Sequence, residues 1–263
     1  MINEQIESVI DTIQNSDKEL SLYEELAPIY EYLYADEYNF EKQASIVLNH
    51  TTEENATIVD LGCGTGELIN LLSLKQEDGY YIGIDLSERL LNNARSQNEN
   101  DNVEYITMDY RNIYSLEYSV DTYCSFGSLT SHTTPEEMEF IMNEVYDTLP
   151  EGGSLIIDYH SPVQKDGTWS DDDGMVVQWE NETTEYIIKS TIITVNRGDK
   201  SHYTVAYEII DKETGESYNC SQKIPIQFYT EEELGEKLTK VGFTDIKNLS
   251  ESPDRSGTIV ATK

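Results

Sequence analysis

Two apolar rhythms alternate along the chain. Ile2, Ile6, Val9, Ile10 and Ile13 recur at helical spacing, which predicts an amphipathic helix over 2–15. A second helical segment is expected over 22–34, carrying a stripe of Tyr23, Tyr30 and Tyr34, and a third over 40–48. Short β-branched runs then take over, most of them followed by a helical pattern: 58–61 before 67–72, 80–85 before 87–95, then 103–109, 120–126 before 137–149, and 155–158. Strands alternating with helices predict βαβ units and a parallel sheet. Thr134, Pro135, Glu136 and Glu137 supply a cap, a proline at the first helical position and first-turn acids, so the helix there starts cleanly and 126–133 reads as a loop.

From residue 175 the rhythm changes. Segments 176–180, 185–195, 203–210 and 223–229 are strand-like, and turn clusters at 196–199 and 211–216 separate them into antiparallel hairpins. Contiguous hairpins break the preceding alternation, so they read as a subdomain inserted after the fifth strand. A helix over 230–242, capped by Thr230 and stopped by Gly242, leads to strands at 244–249 and 257–262 that close the sheet as a terminal hairpin.

At 263 residues the chain can bury one substantial α/β domain with a small subdomain. Lys+Arg number 17 against Asp+Glu 51, a formal charge of −34 spread through the chain. Such a surface repels phosphate backbones and anionic lipid, which disfavours nucleic-acid and membrane partners. Cys63, Cys124 and Cys220 lie far apart, as suits reduced thiols in a cytoplasm, and no Cys-x-x-Cys or histidine cluster proposes a metal. Neither a signal peptide nor a run of membrane-spanning length is expected.

Candidate chemistry centres on Asp60-Leu-Gly62-Cys63-Gly64-Thr-Gly66, a strand-to-helix turn with glycines on alternate positions. In α/β sheets ligands bind at such carboxyl strand ends, and glycine lets the backbone approach them closely. The dinucleotide spacing G-x-G-x-x-G fails, because Glu67 and Ile69 stand where its third glycine would be, and the P-loop lysine is missing. The next apolar strand ends in Asp85, where one carboxylate can accept both hydroxyls of a ribose.

This set, Asp60 to Gly66 with Asp85 and then Asp109, resembles the motifs of class I S-adenosylmethionine-dependent methyltransferases. The resemblance implies a seven-stranded Rossmann-like sheet of order 3-2-1-4-5-7-6 with the last strand antiparallel, and the inserted antiparallel layer after strand 5. S-adenosyl-L-methionine is then the cofactor. Its contacts would come from Asp60, Gly62, Cys63, Gly64, Gly66, Asp85, Leu86, Leu90, Ser125 and Phe126, with Asp109 on the adenine amino group and Tyr110 beside the ring. The helices of 1–50 would form a lid through Tyr23 or Tyr30, the catalytic domain would comprise 51–174 and 230–263, and 175–229 would cover the acceptor pocket or pair with a second copy as a homodimer.

The layout further resembles amine N-methyltransferases acting on amino sugars or glycine-like amines. The acceptor-side candidates are Tyr30, His132, Tyr159 and His160. His132, which titrates near neutrality, is the expected acid/base residue, with Tyr23 or Tyr30 as other catalytic groups. An O-methyltransferase of a small hydroxyl acceptor and a non-catalytic cofactor-binding module are the rival expectations.

Overall fold

The computed structural model describes residues 2–15, 21–34, 38–98, 100–161, 175–195, 201–249 and 257–263. In chain order these form α1 (Ile2–Asn15), α2 (Tyr30–Tyr34), α3 (Phe40–Asn49), β1 (Thr57–Leu61), α4 (Glu67–Lys75), β2 (Tyr80–Asp85), α5 (Glu88–Gln97), β3 (Val103–Thr107), β4 (Thr122–Ser125), α6 (Leu129–His132), α7 (Pro135–Thr148) and β5 (Ser154–Tyr159). The hairpin strands β6 (Met175–Glu182), β7 (Tyr186–Val195), β8 (His202–Asp211) and β9 (Ser217–Pro225) follow, then α8 (Glu231–Val241), β10 (Thr244–Asn248) and β11 (Gly257–Thr262).

Two compact units result, Met1–Tyr38 with Trp169–Ile226, and Asn39–Thr168 with Gln227–Lys263. The N-terminal block expected over 1–50 is thereby divided: α1 and α2 pack with the inserted strands, whereas α3 packs with the parallel sheet. Apolar faces decide this partition, since α3 offers Ala44 and Val47 to the sheet and α1 offers Ile6 and Val9 to the insert.

In the smaller unit, β6-β7-β8-β9 form an antiparallel meander. Period-two alternation puts Ile188, Val205, Tyr207 and Ile209 on one face, which Ile6, Val9, Leu26, Ile29 and Leu33 cover. Each such burial contributes roughly 1.5–3 kcal/mol. The helix expected over 22–34 is broken: Ala27–Ile29 is a 3-10 turn and α2 spans only 5 residues. Pro28 causes this, lacking an N–H and disfavouring helical dihedrals in the residue before it. The last strand, expected over 223–229, instead runs Ser217–Pro225. It is an edge strand of alternating exposed and half-buried residues, so no apolar run marks it, and it stops at a proline that cannot donate to a ladder. The turn expected at 196–199 lies outside the described residues.

In the larger unit, the sheet order is β10-β11-β5-β4-β1-β2-β3, with β11 antiparallel to both neighbours. Counting only these seven strands, that is 3-2-1-4-5-7-6. Val59, Leu61, Ile82 and Ile84 face α7 and α8 through Met138, Ile141, Val145, Leu234 and Leu238. Ile58, Tyr81 and Cys124 face the other side, against α3, α4 and α5. Burial on both faces explains why these strands read as continuous apolar runs. Thr134 with Glu137 and Thr230 with Glu233 close capping boxes at α7 and α8, each worth about 1 kcal/mol.

Two strand-end readings change. The third strand stops at Thr107, because the Asp109 side chain accepts the Arg111 N–H and caps a 3-10 helix, Tyr110–Ser115. The loop expected at 126–133 contains α6, whose 4 residues are too few to show a periodicity. Ser125 starts that helix by accepting the Leu129 N–H at 3.0 Å while donating to the Leu61 carbonyl at 2.7 Å, so it ties β4 to β1.

Candidate active site

The turn after β1 is shaped by glycine. Gly62, Gly64 and Gly66 have φ of 82°, 56° and 81°, in the left-handed region where a side chain is strained. Their surroundings differ. A Cβ on Gly62 would lie 2.1 Å from Ser128 Oγ, and one on Gly66 would enter the Tyr105 ring. At Gly64, apart from its chain neighbours, no atom of the described residues comes within 4 Å of such a Cβ, so the backbone there presents an open face. The Gly62 and Cys63 N–H groups donate to the Ile84 carbonyl at 2.7 and 3.0 Å, which fixes the turn to the end of β2.

Carboxylates converge on this turn. Asp85 accepts the Gly64 N–H on Oδ2 at 3.0 Å and the Ser87 N–H on Oδ1 at 2.8 Å. These two backbone donors fix the orientation of the carboxylate. Asp60 is 4% exposed, and its pKa is pushed up to about 7, first by burial and next by the Asp85 charge. The Cys124 thiol partly offsets this by donating to it, while Asp158 and Glu67 add to the repulsion. Asp158 near the end of β5 accepts the Gly127 N–H on both oxygens at 2.9 Å, and burial pushes its pKa to about 7. The Cys63 thiol rises for the same reasons as Asp60, burial first, and stays protonated.

The other expected residues divide between this turn and the packing around it. Tyr110 hydrogen-bonds Ser128, and Ser128 lies directly over Gly62, so both belong to the turn's wall. Leu86 is 69% exposed immediately after Asp85, an apolar surface at the strand end. Leu90 is buried in α5, and Phe126 packs on the core face shared by α4 and α5. Both Asp109 oxygens are engaged by the Arg111 guanidinium at 2.9–3.0 Å, and Arg111 also reaches Glu137, so this acid is committed to a local ion-pair network. Tyr159 is 1% exposed within the core, its hydroxyl accepting from Asn248 at 3.1 Å, which makes it a packing residue. His160, held neutral by burial, accepts the Tyr229 N–H on its carbonyl, and His132 closes α6.

Tyr23 and Tyr30 sit in the smaller unit, in a chain of rings with Tyr34 and Trp179 at centroid spacings of 5.9, 4.8 and 5.8 Å. Tyr23 Oη lies 3.3 Å from Tyr203 Oη. Burial raises both phenols well above their ordinary value, which keeps them as hydroxyls and removes them as proton acceptors.

Asp158 and Ser128 were not among the expected site residues. The signal for Asp158 is a repeat: Ile-Val-Asp60, Ile-Gly-Ile-Asp85 and Leu-Ile-Ile-Asp158 each carry an apolar strand into an acid.

Residues 58–153 match the family described as Methyltransferase domain. Over 119 residues the chain is 32% identical to a Geobacillus sp. (strain WCH70) protein named as a methyltransferase, covering 43% of this chain and 46% of that one. The chain spans about half the length of the curated relatives it matches. Among solved structures, the sugar N-methyltransferase KedS8 from Streptoalloteichus sp. superposes with a TM-score of 0.73 at 23% identity, covering 95% of this chain and 96% of that one. S-adenosylmethionine-bound CalS10, an amino pentose methyltransferase from Micromonospora echinaspora, gives 0.71 at 19% identity, covering 89% and 96%. Residues 58–153 therefore resemble a methyltransferase domain, and CalS10, which shares the fold, holds S-adenosylmethionine. Over nearly its whole length the chain has a fold similar to that of KedS8 and CalS10.

The residues of this turn fit that cofactor. Its ammonium and sulfonium are cations, and the site gathers the carboxyl groups of Asp60, Asp85 and Asp158, two of them raised by burial. The open face at Gly64 allows backbone contact, and Asp85 is oriented to accept a diol.

A pH dependence follows. Asp60, which like Asp158 has a pKa near 7 in the ligand-free protein, is pulled toward the carboxylate when the cationic cofactor binds, so binding releases protons. Cofactor affinity should rise between pH 6 and pH 8, and titration calorimetry at pH 7 should give different heats in phosphate and Tris. Equal heats in both buffers would rule out the coupling. The stability sign is opposite: these acids have folded pKa values above their unfolded 3.8, so their contribution is lost as pH rises through about 7. The ligand-free melting temperature should accordingly fall from pH 5 to pH 8.

Proposed function

We propose that this chain methylates the nitrogen of a small-molecule amine. The observation that carries the reading is the acid-lined turn, where Asp60, Asp85, Asp158 and Glu67 lie close enough to raise the Asp60 pKa. Such a site attracts a cationic methyl donor and equally a cationic ammonium acceptor, whereas a phosphorylated or carboxylate-bearing acceptor would be repelled. The likeness in fold to a sugar N-methyltransferase and an amino pentose methyltransferase supports an amino-sugar-like acceptor.

When bound, the cofactor supplies a methyl group on an excellent sulfonium leaving group. The protein's task is then to align the nitrogen with that carbon and exclude water. Orientation of this kind supplies roughly 7–11 kcal/mol in favourable systems, against about 10²–10⁴-fold for a general base. The turn suits this task because Asp85, Gly64 and Ser128 are fixed by backbone hydrogen bonds and close packing.

Incubation with methyl-labelled S-adenosylmethionine and a panel of amino sugars, simple amines, neutral sugars and phenols tests the reading. Label should pass to amines and not to their hydroxyl analogues. Transfer confined to hydroxyls would replace it with O-methylation, and cofactor binding without transfer to any of them would make the chain a binding module.

A further inference from the structure

We infer that Asp158 is the group on which the acceptor amine docks and to which it gives up its proton. The inference rests on the amine-methylation reading above and assigns the base within it. Asp158 is the next-to-last residue of β5, on the strand that neighbours β4, at the same sheet end as Asp60 and Asp85. Gly127, with φ of 71°, turns the chain leaving β4 so that its N–H meets both Asp158 oxygens. The Thr130 hydroxyl donates to the Asp158 carbonyl at 2.7 Å, so α6 holds the backbone at the same point. The carboxylate is therefore fixed in place, and its two donors, the Gly127 N–H and its own backbone N–H, satisfy only part of its acceptor capacity. It is partly exposed, and no Lys or Arg is paired with it among the described residues.

The titratable groups on the surrounding elements are few. Asp60 on β1 repels it, the Cys124 thiol on β4 is buried and protonated, and His160 beyond β5 is kept neutral by burial. His132 closes α6, and β11 places the uncharged Thr258 opposite. A carboxylate whose charge is penalised by burial favours whatever brings it a positive charge, and a pKa near 7 suits proton transfer at neutral pH. The phenols of Tyr23 and Tyr30, held as hydroxyls, cannot compete for the role.

In the step itself an ammonium R–NH3+ passes one proton to the carboxylate, and the freed lone pair forms the N–C bond. The C–S bond breaks with its electron pair going to sulfur, which yields S-adenosylhomocysteine and the protonated N-methyl amine. The proton on Asp158 then leaves to solvent.

The test uses full-length wild type, Asp158→Asn and Asp158→Glu. Label transfer to glucosamine, galactosamine and ethanolamine is followed at saturating cofactor from pH 5.5 to 9, with calorimetric cofactor affinity and melting curves alongside. Wild-type kcat/KM should rise through an acidic limb near pH 7. Asp158→Asn should lose about 10²–10⁴-fold and that limb, with cofactor affinity within about threefold of wild type, and Asp158→Glu should recover most of the rate. An Asn variant that keeps the limb, or whose cofactor affinity falls in step with its rate, overturns the assignment and leaves Asp158 as a clamp on Gly127. A wild type that binds cofactor but methylates only hydroxyls, or nothing, sinks the amine reading first and this role with it.

Discussion

Asp85→Ala weakens S-adenosylmethionine binding by about 100-fold or more. Its two oxygens accept the Gly64 and Ser87 N–H groups, so the carboxylate proposed to grip the ribose diol is already oriented. Two charge-assisted hydrogen bonds are worth roughly 1.5–3 kcal/mol each, and about 1.4 kcal/mol is tenfold in affinity. The substitution also removes the second-largest cause of the raised Asp60 pKa, so whatever binding remains should show its pH dependence at a lower pH. Calorimetry on the folded variant decides the matter. An affinity equal to wild type would mean that the ribose is gripped elsewhere.

The glycine turn supplies the second large effect, in the contrast between two substitutions. At Gly62 an alanine combines a φ of 82° with a Cβ 2.1 Å from Ser128 Oγ and 2.5 Å from Ser128 Cβ. Left-handed strain and overpacking each cost roughly 1–3 kcal/mol, so Gly62→Ala should lower stability by about 2–5 kcal/mol. At about 2–4 °C per kcal/mol for a chain of 150–250 residues, the melting temperature falls by roughly 5–20 °C. Gly64→Ala, apart from its chain neighbours, meets no atom of the described residues within 4 Å and carries only the strain of a φ of 56°. It should melt within a few degrees of wild type and still lose at least about tenfold in cofactor affinity, because the added methyl group occupies the face offered to the ligand. Near-wild-type binding by Gly64→Ala would show that the ligand does not rest on this backbone.

Most of the parallel sheet was legible because its strands are buried on both sides. The run Tyr80–Asp85 is bounded in the structure as the sequence predicts, and the capping boxes at Thr134 and Thr230 mark where α7 and α8 begin. What stayed illegible was short or one-sided. Four residues of α6 carry no rhythm, and β9 shows solvent one face of an edge strand. Pro28 was visible, but the aromatic stripe around it suggested a longer helix than a proline permits.

Within the site, Asp60, Gly62, Gly64 and Asp85 are drawn together because sequence-local motifs lie at adjacent strand ends. Asp158 arrives from a strand 2 places away in the sheet, through β4, and only topology shows that it comes near Asp60. Tyr159, expected just past the fifth strand, is its last residue. Alternation turns it to the opposite face from Asp158, into the core.

The smaller unit is assembled from chain segments that are made far apart in time during synthesis. Tyr23 meets Tyr203 across 180 residues and Tyr34 meets Tyr207 across 173. On the ribosome the first two helices thus emerge with apolar stripes whose cover is incomplete until the third hairpin strand, β8, is translated. At about 5–20 residues per second that wait lasts on the order of ten seconds or more, long enough for a holdase to engage.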